Sequence, residues 1–96
     1  MARILVIDDD ALMQRMLELT LDLRGHQVVQ ARNGEDGVAL FRAESPDLVL
    51  TDVLMPQQDG LQTIREIQRV CPGARIIAMS GGCLLYTSPS PRDRQK

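Results

Sequence analysis

The sequence predicts an α/β fold, a doubly wound parallel sheet covered by helices on both faces. Three observations predict it. Four short apolar runs are each of strand length, stretches of helical periodicity separate them, and the connections are too brief for anything but neighbouring elements. Strand, helix, strand in regular alternation closes as a parallel sheet with right-handed crossovers. At 96 residues and 44% apolar content, the chain can bury one modest core and no more.

The first strand is Arg3 to Ile7, whose Ile4-Leu5-Val6-Ile7 run suits burial on both faces and stops at Asp8-Asp9-Asp10. Helical spacing comes next: Leu12, Met16, Leu19 and Leu23 recur at steps of four, three and four, marking an amphipathic helix with Asp10 as its N-cap and Gly25 as its stop. Val28 and Val29 centre a second strand. Asn33-Gly34 then turns the chain into a short helix carrying Val38 and Phe41, which Ser45-Pro46 ends because proline disfavours helical geometry in the residue before it. Leu48-Val49-Leu50 is the third buried strand, and it too ends in a carboxylate, Asp52. A loop with Pro56 and Gly60 leads to a helix with Leu61, Ile64 and Ile67 on one side, before Pro72-Gly73. Ile76 to Met79 form the fourth strand, followed by Ser80-Gly81-Gly82.

After Gly82 the texture changes. Cys83 to Lys96 has no period of two or 3.6 and is rich in Pro, Ser and basic residues, so it reads as disordered. Residues 83–93 also resemble the conceptual translation of a transposase adapter used to prepare sequencing libraries. The tail is therefore expected to be non-native and to carry no function.

Charge and composition exclude several classes. Residues 1–82 carry 12 acids against 8 arginines, and lysine is absent until Lys96. Such an acidic body argues against direct nucleic-acid binding, which needs clustered Lys and Arg, and Phe41 and Tyr86 are too few for base stacking. Cys71 and Cys83 have neither metal-ligand spacing nor a secretory context. With no signal-peptide pattern and no membrane-length apolar run, a cytoplasmic location is expected.

In an open parallel sheet, ligands bind beyond the carboxyl ends of the strands. Strand one ends in Asp8, Asp9 and Asp10, strand three in Asp52, and strand four in Ser80. If strands one and three are neighbours, Asp8, Asp9 and Asp52 converge. Their mutual repulsion calls for a hard dication, and Mg²⁺ suits a few carboxylates while keeping waters for phosphate oxygens to replace. A carboxylate in such a setting can act as a nucleophile toward phosphorus, and a hydroxyl at Ser80 could then donate to a phosphoryl oxygen.

The same residues carry a family resemblance. Ile4 to Asp10, then Pro46 to Asp52 with Met55-Pro56 and Asp59-Gly60 behind it, then Ile76 to Ser80, resemble the response-regulator receiver domain in order and spacing over residues 3–82. The resemblance implies a flavodoxin-like receiver fold with strand order 2-1-3-4, a partial receiver domain at 1–82 and a tail at 83–96. It implies Asp52 as phosphoacceptor, Asp8 and Asp9 as the acid pocket, and Ser80 as switch hydroxyl. Asp8, Asp9, Asp52 and the Leu54 backbone carbonyl would make up the Mg²⁺ site, Asp9 and the carbonyl joining Asp52 as ligands. The implied donor is a histidine kinase or phosphotransfer protein, with a downstream effector as possible output. The module would be regulatory rather than an enzyme. Receivers continue with a further helix, a fifth strand ending in lysine and bearing a switch aromatic, and a last helix. None of these matches here, Lys96 included, so strand four is expected to be an exposed edge.

Two other readings compete. A haloacid-dehalogenase-like phosphatase would use Asp8, Asp10 and Ser80, but Ala11-Leu12 stand where Gly-Thr should come after the acid pair, and Asp52 is unexplained. A pseudo-receiver would bind partners without accepting phosphate. Taken singly, the acid run is a solvated loop and helix cap, Asp52 a turn residue and Ser80 a small residue in a Gly-rich turn; taken together they are a site. Asp59-Gly60 reads as turn chemistry, His26 as exposed or capping, Cys71 as half-buried, and Met13, Met16, Met55 and Met79 as packing.

Overall fold

The structure, a computed structural model, describes residues 1–53 and 60–80 together with the strand at 83–87, with side chains described as far as Met79. The elements are β1 (Arg3–Ile7), α1 (Ala11–Leu23), β2 (Gln27–Ala31), α2 (Gly34–Glu44), β3 (Leu48–Asp52), α3 (Gly60–Val70), β4 (Ile76–Ser80) and β5 (Cys83–Thr87). The sheet order is β2-β1-β3-β4-β5. β1 pairs in parallel with β2 and β3, and β3 with β4, as the alternating pattern predicts. Because β2 lies on one side of β1 and β3 on the other, the chain changes direction across the sheet at β1, and the crevice opens there at the carboxyl ends of β1 and β3.

Each face of the sheet has its own core. On one, Leu5, Ile7, Val49, Ile76 and Ala78 pack with Phe41 of α2 and with Ile64 and Ile67 of α3. On the other, Ile4, Val6, Leu50 and Met79 meet Leu17 and Leu21 of α1. Ile67, Leu5 and Ile7 are almost wholly shielded from water, so truncating any of them to alanine would cost about 2–5 kcal/mol. Helix ends obey the sequence signals. Asp10 accepts the Leu12 and Met13 N–H groups, Asn33 accepts that of Asp36, Ser45 caps α2 in the left-handed region, and Gly25 takes a positive φ after α1.

Three expectations need correction. The stripe that marks α1 is not the face it buries: Leu12, Met16, Leu19 and Leu23 are 70%, 56%, 51% and 88% exposed, and Leu17, Leu21 and Gln14 face the sheet instead. Thus Met16 is not packing, and in α3 Leu61 is also exposed while Thr63 is buried. α1 carries apolar residues on two sides, so periodicity alone could not select between them. Second, β4 is not an edge strand. β5 pairs with it antiparallel, from Ile76 with Thr87 to Ser80 with Cys83. Residues 83–87 are therefore a strand rather than irregular chain; the open hydrogen-bonding edge of β4 accepts an extended, apolar segment separated from it only by Gly81 and Gly82, a two-residue spacing that favours hairpins. Third, His26 is half-buried, its Nδ1 accepting the Ala2 N–H at 3.0 Å.

Candidate acidic site at the ends of β1 and β3

The site is assembled by register. Ile7 pairs with Thr51, so the next residues along, Asp8 and Asp52, leave two adjacent strands at the same level. Oxygens of Asp8, Asp9 and Asp52 all lie within 4.8 Å of one another. Asp8 is 3% exposed, Asp52 partly buried and Asp9 open to solvent, so the cluster grades from core to surface.

Hydrogen bonds hold this arrangement from behind. The Asp8 N–H donates to the Ala31 carbonyl at 3.1 Å, and that same oxygen accepts the buried Gln14 amide at 2.6 Å, tying β1, β2 and α1 together. Asp8 Oδ1 accepts the Asp10 N–H at 2.9 Å. Asp10 spends its own Oδ1 on the Leu12 and Met13 amides, at 2.9 and 3.3 Å. The three consecutive aspartates therefore divide: Asp8 and Asp9 join the site, and Asp10 caps a helix. On β3, the buried Thr51 hydroxyl donates to the Asp52 carbonyl at 3.3 Å, and the Val53 N–H donates to the Met79 carbonyl at 2.9 Å.

Gly60 matters more than its sequence context suggested. A Cβ there would overlap the Asp52 carbonyl oxygen and the Val53 Cα. The first residue of α3 thus rests directly on the backbone that carries Asp52, an approach only glycine permits. Gln14 and Thr51 are also positioning residues that sequence reasoning passed over. A glutamine on an apolar helix and a threonine inside a strand carry no signal of this role on their own.

Burial pushes the Asp8 carboxyl above its ordinary value of 3.8; the Asp10 N–H works against this, and the charges of Asp52, Asp9 and Asp10 add to it. Hard oxygen donors, close together and disfavoured as bare charges, are the chemistry a small dication relieves, so the residues fit Mg²⁺. Asp52 pairs with Met79, so the Ser80 backbone lies one step beyond it on the neighbouring strand. The Ser80 side chain and all of Leu54, Met55, Pro56 and Asp59 fall outside the described residues.

With this geometry in view, the comparisons with known proteins decide the family. The family model for the response regulator receiver domain matches residues 4–83. The chain belongs to the response regulator receiver domain family. Among curated relatives, the receiver is 48% identical over 69 residues to protein PilH of Pseudomonas aeruginosa, a match covering 72% of this chain and 57% of PilH. The chain thus spans little more than half the length of that relative. Among solved structures, the receiver is similar to the response regulator TrrA of Thermotoga maritima in complex with Mg²⁺ and BeF, with a TM-score of 0.79 and 35% identity over 83% of this chain and 70% of that one. TrrA in complex with the histidine kinase ThkA matches equally well, with a TM-score of 0.79 and 34% identity over 84% and 70% of the two chains. The receiver fold and the 2-1-3-4 order of its parallel strands agree with these neighbours. The phosphatase reading fares worse: Asp10, which it requires in the site, is the α1 cap.

Proposed function

We propose that this receiver is the phosphoacceptor of a two-component phosphorelay, with Asp52 as the residue modified. The observation that carries the reading is the convergence of Asp8, Asp9 and Asp52 at the adjoining ends of β1 and β3. Within the cluster, Asp52 is neither sealed in the core like Asp8 nor fully in solvent like Asp9. Asp52 would attack the phosphorus of a histidine kinase or phosphotransfer protein, whose phosphohistidine nitrogen leaves with the bonding pair. Support for such a donor comes from the likeness to TrrA, which has been seen in complex with a histidine kinase.

Asp9, Asp52 and the Leu54 carbonyl, with Asp8 beside them, would hold Mg²⁺, which when bound offsets the charge of the incoming phosphoryl oxygens. The likeness to a Mg²⁺-bound regulator supports this. Asp8, whose N–H donates to the Ala31 carbonyl and whose Oδ1 accepts the Asp10 N–H, is held in place beside that ligand set. Ser80 would donate its hydroxyl to the phosphoryl group, a contact made only in the modified state, so it biases a two-state surface toward a downstream effector. The module is regulatory, has no direct nucleic-acid role and works in the cytoplasm; among the described residues no helix is long and apolar enough to cross a membrane. Residues 1–82 are the receiver segment and 83–96 a non-native tail, a boundary supported by the family match ending at residue 83.

The test is intact-mass measurement after incubation with Mg²⁺ and a small acyl phosphate. One phosphoryl group should be added, stable in acid and labile in base, and Asp52→Asn should lose it completely. An adduct lost in Asp8→Asn but kept in Asp52→Asn would instead support a phosphatase nucleophile. Absence of any adduct on a version in which residues 83–96 are replaced by a segment carrying a strand that ends in lysine would favour a pseudo-receiver. Reading the source DNA past the Gly82 codon tests the boundary.

A further inference from the structure

On the face of the sheet opposite α1, α2 and α3 lie side by side with a groove of about 440 Å³ between them, lined by Val38 and Arg42 of α2 and by Glu66, Arg69 and Val70 of α3. That volume falls in the ordinary range of binding clefts. Half-buried Val38, packed against the core, and exposed Val70 give the groove an apolar surface. Arg42 and Arg69 stand in the last turns of their helices, where positive charge offsets the macrodipole. That role uses their charge but leaves their donors open. Among the described residues neither side chain makes an ion pair or a hydrogen bond, and Glu66, the one acid in the lining, pairs with neither.

The distribution of charge decides what the groove fits. Residues 1–82 carry 12 acids against 8 arginines, so a basic partner is drawn to many places on this body and an acidic one to few. Arg42, Arg65 and Arg69 are all exposed on α2 and α3, whereas the acids of α2 are held elsewhere: Glu35 and Asp36 in its first turn, and Glu44 paired with Arg3. Open guanidinium forks beside apolar surface match carboxylates that flank aliphatic side chains. Both walls of the groove also touch the strands that carry the acid cluster. A Cβ on Gly37 of α2 would overlap the side chain of Ile7, the residue before Asp8, just as Gly60 of α3 lies against the Asp52 backbone. A segment wedged between the two helices would press on both contacts. We propose that the α2–α3 groove docks an acidic amphipathic segment of a partner protein, with its carboxylates on Arg42 and Arg69 and its apolar side chains against Val38 and Val70, and that docking is felt at Asp8 and Asp52.

The test uses the 96-residue chain, isotope-labelled at its amides and valine methyls, and a synthetic helical peptide of about 15 residues with leucines along one face and glutamates on both flanks. In NMR spectra the Val38 and Val70 methyl signals should move as the peptide is added to ~1 mM, and the Asp8 and Asp52 amide signals should move with them. A twin peptide with lysine for every glutamate should leave the two valines in place. Arg42→Glu combined with Arg69→Glu should weaken the acidic peptide ~10-fold or more, and Glu66→Gln should strengthen it about 2- to 5-fold; circular dichroism confirms that each variant is folded. No valine shift at ~1 mM, binding indifferent to the double reversal, or equal binding of the lysine twin overturns the proposal. So do valine shifts that follow the concentration of the chain itself without peptide, which would assign the groove to a second copy. Valine shifts that leave the Asp8 and Asp52 amides unmoved would overturn the link to the acid cluster.

Discussion

The two ends of β1 handle charge in opposite ways. At its start, the Arg3 guanidinium donates to the Glu44 carbonyl at 2.9 Å and to Gln27 at 3.2 Å, pairs with the Glu44 carboxylate at 3.6 Å, and the Arg3 N–H donates to Asp47 at 2.8 Å. His26 takes up the neighbouring Ala2 N–H. At its far end, the strand opens into a cluster of three carboxylates. One rim closes the fold by pairing opposite groups; the other gathers like charges and holds them with backbone hydrogen bonds. Opposite charges paired at one end of the strand contrast with like charges gathered at the other, the end where the proposed phosphoacceptor site lies.

Breaking the acidic rim mechanically should have the largest effect. Gly60→Ala forces a Cβ into the Asp52 carbonyl and the Val53 Cα, so it should destabilise the protein by about 3 kcal/mol and displace Asp52. Chemical denaturation and Mg²⁺ titration should both register it; unchanged Mg²⁺ affinity would mean that α3 does not position the acid. Asp8→Asn should act in the other direction. Removing a buried, repelled carboxylate should stabilise the metal-free protein by about 1 kcal/mol, or about 5 °C in Tm, while erasing the stabilisation that Mg²⁺ gives the parent.

The pH dependence sharpens this contrast by a smaller margin. Because the Asp8 carboxyl titrates above 3.8 in the folded state, the native protein keeps a proton that the unfolded chain has already released. Its contribution is fully present below pH 3.8 and is lost as pH rises through the folded value. Calorimetry without metal should therefore show Asp8→Asn gaining on the parent as pH increases from 4 toward neutrality, with the two converging in acid; curves that stay parallel would mean that folding does not raise the Asp8 carboxyl. At the opposite rim, Arg3→Ala removes an ion pair about 40% exposed and two side-chain hydrogen bonds. The loss should be about 0.5–1 kcal/mol, with Mg²⁺ affinity unchanged.

The architecture is legible because strand burial and short connections are local properties. Ile4 to Ile7, Leu48 to Leu50 and Ile76 to Met79 announce buried strands, and Asp8, Asp9 and Asp52 fall together once β1 and β3 are neighbours. Asp10 is readable as a cap for the same reason, whereas Asn33 reads only as a turn residue until its side chain is seen to accept the Asp36 N–H. The orientation of α1 is not, since Leu12-Met16-Leu19-Leu23 is the more regular stripe and only tertiary packing selects Leu17 and Leu21. Gly60, Gln14 and Thr51 act through contacts with residues 7 or more positions away or through a neighbour's backbone, which no single-sequence pattern encodes. At β5 a hairpin signal is present in Gly81-Gly82 between apolar runs, but the Pro, Ser and basic residues of 88–96 dominate the composition of the tail and obscure it.

The Ala31 carbonyl, which accepts both the Asp8 amide and the Gln14 side chain, makes a natural reporter. An isotope-edited infrared label on that one oxygen would sense any shift of β1 or α1 as a frequency change, reading events at the acid cluster from a buried atom that no ligand need touch.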